Sequence, residues 1–314
     1  MKIALLDDWQ NNSFMFADFA RLRNEHQLDV FTDTLSGPEL IARLQPYDII
    51  LAMRERTGLG EEILSQLPNL RAIITCGMRN AAIALDYCKA NNITVCGTES
   101  PGHATAELAM VLIGMLARQL YPSVHSMASG GWQVGTGRDL RGARLGILGL
   151  GRLGGQVAAM GKAFGMNVQA WSQNLTPQIC AEHQVSYASK DEFFSTSDFI
   201  SIHLKLSDRV TGLVGKAELD MMKEDASIIN TSRAPIIDRD ALLSALQEKR
   251  IGGAALDVFD AEPLPADDGL RHLPNVILTP HIGYVTAETM KVFYGGMLEA
   301  LEAYLAGKPI RSLI

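Results

Sequence analysis

Hydrophobic and polar positions along the first third of the chain predict alternating strands and helices. Short apolar runs bounded by polar residues or glycine are typical of buried strands, and they occur at residues 3–6, 29–32, 48–53, 70–75 and 93–95. Amphipathic segments between them, such as 37–44 and 60–66, predict helices. Because strands that alternate with helices form parallel sheets, this pattern predicts an α/β domain whose ligand-binding loops follow the carboxyl ends of the strands.

A second α/β pattern follows. The chain crosses over near residues 98–102, and residues 105–120 then predict one long apolar helix. A glycine-rich link at 129–142 precedes further predicted strands, at 168–171, 199–204, 227–230, 253–256 and 276–278. The predicted final helix, 287–305, is long enough to pack back on the first domain. We therefore predict two lobes with a cleft between them, formed by residues 1–98 with 286–314 and by residues 99–285.

The composition is that of a soluble globular protein of about two domains. Of the 314 residues, 47% are hydrophobic and 20% charged, and a net charge of -7 makes nucleic acid or an anionic membrane an unfavourable partner. The N-terminal apolar run is too short for a signal peptide, and the run at 108–117 is too short to cross a bilayer. We therefore predict a cytoplasmic protein that binds neither nucleic acid nor membrane. Reduced core thiols, rather than disulfides or a metal site, are expected of the scattered cysteines, Cys76, Cys88, Cys96 and Cys180.

The segment 144–174 carries a dinucleotide-binding pattern. An apolar run enters Gly149-Leu150-Gly151-Arg152-Leu153-Gly154, and an amphipathic segment follows, as in a strand, turn and helix. Gly149 permits the tight turn, Gly151 lets a pyrophosphate approach the backbone N–H groups at the start of the helix, and Gly154 lets the helix lie against the strand. The alternative is a glycine-rich turn between two packed elements, which the flanking strand and helix disfavour.

Two predicted strand ends in the first domain carry arginines. They are Met53-Arg54-Glu55-Arg56-Thr57 and Cys76-Gly77-Met78-Arg79-Asn80. Guanidinium groups beside a glycine that exposes backbone N–H groups suit the carboxylate of a small substrate. From the spacing alone, solvated surface arginines explain the same pattern equally well.

In the second domain, Arg233, Glu262 and His281 each follow a predicted strand. Because the carboxyl ends of parallel strands converge on the ligand crevice, we expect these three side chains to meet there. A keto-acid reductase needs a cation that binds the carboxylate and the carbonyl group of the substrate, and a proton donor such as a histidine. A side-chain carboxylate beside that histidine favours the protonated imidazole. On the residues alone, His203 at the end of an earlier strand is an equal candidate for the histidine, and either histidine could simply be packed.

These segments together resemble the D-isomer-specific 2-hydroxyacid dehydrogenases, the family that includes phosphoglycerate dehydrogenase and the glyoxylate/hydroxypyruvate reductases. The resemblance rests on LGILGLGRLG, INTSRAPIID, GAALDVFDAEPLP and LTPHIG in this order, and it runs through most of the chain. It implies two Rossmann- or flavodoxin-like lobes, and the catalytic set Arg233, Glu262 and His281. The cofactor contacts that we predict are Gly149, Gly151, Arg152, Leu153, Gly154, Ser172, His203, Lys205, Thr231, Ser232, Arg233, Asp257, His281 and Gly283. The predicted substrate contacts are Arg54, Gly77, Met78, Arg79 and Asn80.

Three positions depart from the family pattern. The acid that selects NAD should follow the strand at 168–171, yet Ser172-Gln173-Asn174 stands there. The main barrier to the 2′-phosphate of NADP is therefore absent, although no arginine follows to bind that phosphate. Lys205 stands where the family commonly has proline, and Ala234-Pro235 where a glycine usually follows the arginine. We therefore predict NADP or NAD as the cofactor, with NADPH accepted and preferred through Ser172 and Lys205.

The resulting prediction is an NAD(P)-dependent reductase of a small 2-oxo acid, of the glyoxylate or hydroxypyruvate type, that transfers hydride to C2 and gives the D-hydroxy acid. Arg233 binds the carboxylate and the carbonyl oxygen, His281 protonates the developing alkoxide, and Glu262 keeps His281 charged. The resemblance also implies a homodimer formed through the cofactor domain. Two alternatives stay open: an NAD(H)-sensing protein of the co-repressor type on the same fold, and a formate dehydrogenase.

Overall fold

A computed structural model describes residues 1–314, and the chain divides into two compact units. The first unit comprises Met1–Pro101 with Val285–Ile314, and the second comprises Gly102–Tyr284. One unit contains a sheet of five strands and the other a sheet of seven, and all strand pairs are parallel. The predicted α/β fold class with parallel sheets is therefore confirmed. No helix is long and apolar enough to cross a lipid bilayer.

The first unit is a doubly wound sheet. Its strands are β1 (Lys2–Leu5), β2 (Gln27–Val30), β3 (Ile49–Ala52), β4 (Ala72–Thr75) and β5 (Thr94–Cys96). Its helices are α1 (Ser13–Phe16), α2 (Gly37–Leu44), α3 (Glu61–Leu64), α4 (Leu85–Ala90) and the last helix of the chain, α12 (Ala287–Leu305). The strand order is β2-β1-β3-β4-β5, so the winding reverses between β1 and β3. Loops that follow those two strands border the place where such sheets bind ligands.

Burial explains why the strands of the first unit are continuous apolar runs. Every residue of β3 and β4 is buried, because helices cover both faces of a parallel sheet. The final helix, α12, packs on α1 and β4 and buries Phe293 and Tyr294 completely. This helix therefore joins the first unit although it is the last element of the chain.

The second unit has a longer doubly wound sheet. Its strands are β6 (Arg144–Leu148), β7 (Asn167–Trp171), β8 (Ser186–Tyr187), β9 (Phe199–Ile202), β10 (Ser227–Asn230), β11 (Gly253–Leu256) and β12 (Val276–Leu278). Its α-helices are α5 (Ala104–Ala117), α6 (Leu120–Ala128), α7 (Arg152–Ala163), α8 (Pro177–Glu182), α9 (Lys190–Thr196), α10 (Lys216–Met221) and α11 (Arg239–Gln247). The order β12-β11-β10-β9-β6-β7-β8 reverses between β6 and β9, so the loop after β6 lies at the ligand-binding switch point.

Two hydrophobic clusters sandwich this second sheet. One contains Ile113 of α5 and Val157 of α7, and the other contains Phe193 of α9 and Leu246 of α11. All residues of β10 and β11 are buried between them. Because both faces of the sheet are covered, only the ends of the strands can present polar groups to a ligand.

The element bounds differ from the predictions in instructive places. The predicted segments 227–230, 253–256, 276–278 and 287–305 coincide with β10, β11, β12 and α12. The segment 29–32 is displaced, since β2 spans Gln27–Val30. The predicted helix 105–120 corresponds to α5, but α5 ends three residues earlier, at Ala117. The chain then turns at Gln119, with a left-handed φ of 49°, into the separate helix α6, which was not predicted. Arg118 and Gln119 stand at this break, and neither is a glycine or proline that would have marked the end of a helix.

Candidate active site

The turn between β6 and α7 has the shape of a dinucleotide-binding loop. Gly149 adopts a left-handed conformation with a φ of 98°. A Cβ atom on Gly154 would lie 2.1 Å from the carbonyl oxygen of Gly149, so only glycine lets α7 approach the turn this closely. A Cβ atom on Gly151 would meet nothing within 4 Å, which leaves that side of the turn open to a ligand. The turn therefore leaves room for a phosphate group beside its backbone.

The start of α7 supplies hydrogen-bond donors to this open side. The helix begins at Arg152, so the backbone N–H groups of Arg152, Leu153 and Gly154 lie in its first turn, where no carbonyl within the helix can accept them. The N–H groups at the start of a helix and the positive end of the helix dipole bind phosphates. The guanidinium of Arg152 lies against Gly102: a Cβ atom on Gly102 would be 2.2 Å from the Nη1 and Nη2 atoms of Arg152. These groups fit the pyrophosphate of a dinucleotide.

The turn after β10 presents a buried hydroxyl. The Asn230 side chain holds the turn, because its Nδ2 donates to the carbonyl oxygen of Arg233 at 2.9 Å and its Oδ1 accepts the N–H of Ser232 at 3.0 Å. The Ser232 hydroxyl donates to the carbonyl oxygen of Leu204. The hydroxyl oxygen of Thr231 is buried without a hydrogen-bond partner, and such an atom is costly unless a ligand satisfies it. This orphaned hydroxyl fits the predicted nicotinamide contact.

A histidine and a glutamate form an ion pair at the ends of β11 and β12. The Nδ1 atom of His281 lies 2.6 Å from Oε2 of Glu262, and Oε1 of Glu262 accepts the N–H of Phe259 at 2.9 Å. Burial raises the pKa of Glu262, but the hydrogen bonds from His281 and Phe259 and the charges of His281 and Arg233 together outweigh burial, so this pKa lies below its ordinary value of 4.5. Glu262 is therefore ionised at neutral pH. The ionised carboxylate makes Nδ1 the donor and leaves Nε2 of His281 to exchange a proton with a ligand.

The buried carboxylate of Asp257 holds the turn that presents His281. Its Oδ1 accepts the Thr279 hydroxyl at 2.6 Å and the N–H of Ile282 at 2.9 Å, and its Oδ2 accepts the N–H of Gly283 at 2.8 Å. Burial raises the pKa of Asp257. Both oxygens of Asp257 are thus used to fix the turn, and its predicted contact with the cofactor carboxamide stays a prediction.

Arg233 lies near the same ion pair. Its Nη1 donates to the carbonyl oxygen of Ser232 at 2.7 Å, and the side chain is half-buried. The guanidinium is close enough for its charge to lower the pKa of Glu262, after the larger effects of burial and His281. The structure therefore brings Arg233, Glu262 and His281 together at the carboxyl ends of neighbouring strands.

The second candidate histidine has different surroundings. His203 follows β9, and its Nε2 lies 2.8 Å from the hydroxyl of Ser201. Burial lowers the pKa of His203 to about 4, so its imidazole is neutral at physiological pH. A neutral imidazole is a poor proton donor, and His203 lacks the carboxylate partner that His281 has. The geometry therefore separates two histidines that the spacing of the residues left equal.

A cavity of about 190 Å³ follows β7. Ser172, Lys205 and Arg209 line it together with Gln173 and Asn174. Arg209 was missed in the sequence analysis: the segment directly after Ser172 contains no arginine, but the loop after β9 brings Arg209 to the same place. Its Nη2 donates to Oε1 of Gln173 at 3.2 Å and to Oδ1 of Asn174 at 3.3 Å.

Within the first unit, Arg54 lies against the loop that follows β4. The Nδ2 atom of Asn80 donates to the carbonyl oxygen of Arg54 at 2.5 Å. Gly77 has a left-handed φ of 81°, and a Cβ atom on it would come within 3.0 Å of Nη1 of Arg54. Met78 and Arg79 are exposed. The structure thus groups the five predicted substrate contacts around one strand end and its neighbour.

Comparison with known proteins decides the family. Residues 110–283 match the family model described as D-isomer specific 2-hydroxyacid dehydrogenase, NAD binding domain. The chain is also 37% identical over 267 residues to a glyoxylate reductase of Aeropyrum pernix, an alignment that covers 81% of this chain and 78% of that protein. The chain belongs to the D-isomer-specific 2-hydroxyacid dehydrogenases.

Two further similarities cover nearly the whole dehydrogenase. A glyoxylate reductase of Korarchaeum cryptofilum is 30% identical over 300 residues, which are 92% of this chain and 90% of that protein. A crystal structure of a phosphoglycerate oxidoreductase from Vibrio cholerae O395 matches with a TM-score of 0.92 at 36% identity, and covers 98% of this chain and 99% of that chain. Both units are therefore similar in fold to those of that solved oxidoreductase.

Membership of this family makes the dehydrogenase an oxidoreductase that acts on the CH–OH group of 2-hydroxy acids with a nicotinamide cofactor. The family and the enzyme class predicted from the motifs are confirmed. The matched NAD-binding domain, 110–283, contains the glycine turn and the side chains of Arg233, Glu262 and His281. No group of three or more His, Cys, Asp or Glu side chains could hold a metal ion, and all four cysteines are buried.

Two buried acids of this dehydrogenase were not among the predicted site residues. Asp7 and Asp8 follow β1, and both are fully buried. Asp7 accepts the Thr57 hydroxyl at 2.7 Å, and its carbonyl oxygen accepts Nη1 of Arg56 at 3.1 Å. Asp8 accepts the N–H of Ser13 at 3.0 Å. The two acids fasten the loops that follow β1 and β3, and their place directly after an apolar strand is the signal that could have identified them.

Proposed function

We propose that this dehydrogenase reduces a small 2-oxo acid of the glyoxylate or hydroxypyruvate type to the D-2-hydroxy acid. The observation that carries the proposal is the 2.6 Å contact between His281 and Glu262, beside Arg233, on the unit that contains the dinucleotide turn. Reduction of a 2-oxo acid requires a proton donor, and a cation that binds the carboxylate and polarises the carbonyl. The two relatives named glyoxylate reductase support this substrate class.

Each of the three side chains has a separate role in this reaction. The reduced nicotinamide, when bound, supplies the hydride that C2 of the substrate accepts. Arg233 binds the substrate carboxylate and polarises the carbonyl with its planar guanidinium. Nε2 of His281 donates a proton to the carbonyl oxygen as negative charge develops there. Glu262 accepts the hydrogen bond from Nδ1, which orients the ring and stabilises the imidazolium before the proton is transferred.

NADPH is the preferred cofactor in this proposal. Ser172 occupies the place of the acid that would repel the 2′-phosphate, and Lys205 lines the same cavity. Backbone groups around the glycine turn bind the pyrophosphate. The residues proposed for the pyrophosphate are Gly149, Gly151, Arg152, Leu153 and Gly154, and those proposed near the nicotinamide are His203, Thr231, Ser232, Arg233, Asp257, His281 and Gly283.

We also propose that Arg54, Gly77, Met78, Arg79 and Asn80 contact the substrate. The reason is chemical, since the two arginines supply positive charge to an anionic molecule. The loop that carries Arg79 is held by the bond from Asn80 to the backbone of Arg54. A substrate with a second polar or anionic group fits these residues best.

A homodimer is the proposed assembly. Helix α6 buries none of its nine residues, and it exposes Leu120, Val124 and Met127 at 44%, 65% and 56%. A helix this short is unstable in water unless its apolar face packs on something, and exposed apolar patches mark interaction surfaces. A second copy presents the same face, as a two-fold symmetric dimer requires. The cytoplasmic location remains a prediction.

Initial rates on the purified chain test the enzyme proposal. The assay follows loss of NADPH, and separately of NADH, with glyoxylate, hydroxypyruvate, pyruvate and phosphohydroxypyruvate. We expect turnover of glyoxylate or hydroxypyruvate, a larger kcat/KM with NADPH than with NADH, and D-glycerate as the product from hydroxypyruvate. Equal or better use of NADH would contradict the cofactor preference. Tight nucleotide binding without turnover of any 2-oxo acid would contradict the enzyme proposal and favour a sensing protein.

A further inference from the structure

The cavity that follows β7 concentrates positive charge. Lys205 and Arg209 both line it, and no acidic side chain is part of its wall. Ser172 stands at the end of β7, where the acid that binds the ribose of NAD is expected. The chain as a whole has a net charge of -7, so its average surface is negative. A cavity lined by two cations and no acid is locally positive, and this indicates a binding site for an anion.

Neutral groups hold Arg209 in place. Its Nη2 donates to the amide oxygens of Gln173 and Asn174, and its carbonyl oxygen accepts Nε2 of Gln173 at 3.2 Å. Amide oxygens orient a guanidinium without cancelling its charge, as a carboxylate would. Both side-chain bonds use Nη2, so the N–H groups of Nη1 and Nε are left for a ligand. A guanidinium oriented in this way can bind a phosphate through two parallel hydrogen bonds.

We propose that Arg209 binds the 2′-phosphate of NADPH, with Lys205 as a second cation and the Ser172 hydroxyl as a further donor. The loop after β9 thereby supplies the arginine that the segment directly after β7 lacks. This inference rests on the proposed preference for NADPH and assigns that preference to one residue. Arg209 is then a specificity-determining residue, which contacts the phosphate that distinguishes the two cofactors and no group that they share.

The competing explanation is that Arg209 only ties its own loop to Gln173 and Asn174. In that case its loss would disturb the cavity for any adenosine nucleotide, with or without a 2′-phosphate. A comparison of ligands that differ only in that phosphate therefore separates the two explanations.

The test is calorimetric binding to the full chain. Adenosine 2′,5′-bisphosphate is compared with 5′-AMP, and NADPH with NADH, on wild type, Arg209→Gln and Arg209→Lys. The control, Arg141→Gln, removes a charge from an exposed arginine that packs beside Gly165, at the amino end of β7. We expect Arg209→Gln to weaken binding of the bisphosphate and NADPH by about 10- to 100-fold, as for loss of a hydrogen bond to a charged group. Binding of 5′-AMP and NADH should not change, and Arg209→Lys should restore part of the loss.

Three results would overturn this inference. Equal weakening of 5′-AMP and the bisphosphate by Arg209→Gln would show that the residue only supports the cavity. Unchanged binding of the bisphosphate would remove Arg209 from the phosphate site. Wild-type protein that binds the bisphosphate no more tightly than 5′-AMP would overturn both the NADPH preference and the role of Arg209. These measurements need no turnover, so a failure to reduce any 2-oxo acid would contradict the enzyme proposal and leave the assignment of Arg209 supported by binding.

Discussion

At the scale of single residues, the proposed chemistry depends on one turn. Asp257 accepts three hydrogen bonds from residues 279–283, and these hold His281 in a left-handed conformation with a φ of 51°. Residues other than glycine adopt this conformation rarely, so the surrounding bonds must fix it. The ring of Tyr284 packs edge-on against the imidazole, with ring centres 5.8 Å apart. The imidazole therefore meets Glu262 in a geometry that the protein sets in advance.

Replacement of Glu262 by glutamine should change the pH dependence of catalysis. Burial raises the pKa of Glu262, but the hydrogen bonds from His281 and Phe259 and the charges of His281 and Arg233 together lower it more. The carboxylate is therefore ionised above pH 4.5 and becomes protonated only as the pH falls through its lower folded-state pKa. Glu262 therefore stabilises the imidazolium of His281 at pH values above the pKa of Glu262 and no longer does so below it. We expect Glu262→Gln to move the alkaline limb of the kcat/KM profile to lower pH by about one unit, equivalent to roughly 1.4 kcal/mol.

The control for this profile is Glu182→Gln, which changes an exposed glutamate at the end of α8 in the same way. Its profile should superimpose on that of the wild type. Profiles of wild type and Glu262→Gln should converge at acid pH, where Glu262 is protonated. An alkaline limb at the same pH in both proteins would contradict the proposed role of Glu262.

The sequence could predict which residues follow the catalytic strands, because buried parallel strands are apolar runs and the polar residue after each run stands out. It could not predict how these side chains are oriented. The residues alone left His203 and His281 equal, and only the family resemblance favoured His281; the physical reason is the 2.6 Å contact with Glu262, which joins residues 19 positions apart. Arg209 was missed because its partner Gln173 is 36 positions away and comes from the end of a different strand.

At the scale of elements, α6 differs from the other helices of the second unit. It follows α5 after the left-handed residue Gln119, and it buries no side chain. It was not predicted: the predicted helix ended at Leu120, and a break at a residue other than glycine or proline leaves no mark that announces a second helix. A helix that lacks buried contacts in the monomer is the element that most requires a partner.

A charge placed on the exposed face of α6 should dissociate the proposed dimer. Val124→Glu adds a carboxylate at a side chain that is 65% exposed, so the fold of the monomer is unaffected. In a dimer the same carboxylate would be buried without a partner, at a cost of about 3 kcal/mol, or more than 100-fold in the dissociation constant. Light scattering after gel filtration should show a mass near 34.1 kDa for the variant and twice that for the wild type.

The matched control is Met15→Glu, at an apolar side chain of the first unit that is 81% exposed. This substitution should leave the mass at that of the dimer. A wild-type protein that is already monomeric, or a Val124→Glu variant that stays dimeric, would show that α6 is not the interface.

At the scale of the whole molecule, two doubly wound units each present polar residues at the strand ends beside their switch points. The sequence could predict this arrangement because strands connected by helices form right-handed crossovers, which place the carboxyl ends of all the strands at the same edge of the sheet. Strand bounds were predicted best where glycine or asparagine flanks a fully buried run, as at β10 and β11. The two edge strands β2 and β8 were predicted worst: β2 mixes polar and apolar residues and was displaced by two positions, and β8, with two exposed residues, was not predicted.

The claim on which the whole account depends is that His281 donates the proton in reduction of a 2-oxo acid. The most direct measurement compares kcat/KM of His281→Gln with the wild type, with cofactor affinity measured on both proteins and His272→Gln as a control at an exposed histidine. Loss of a general acid should lower kcat/KM by about 10²- to 10⁴-fold, while the Kd for NADPH stays close to that of the wild type. A His281→Gln enzyme that turns over as fast as the control would contradict the account.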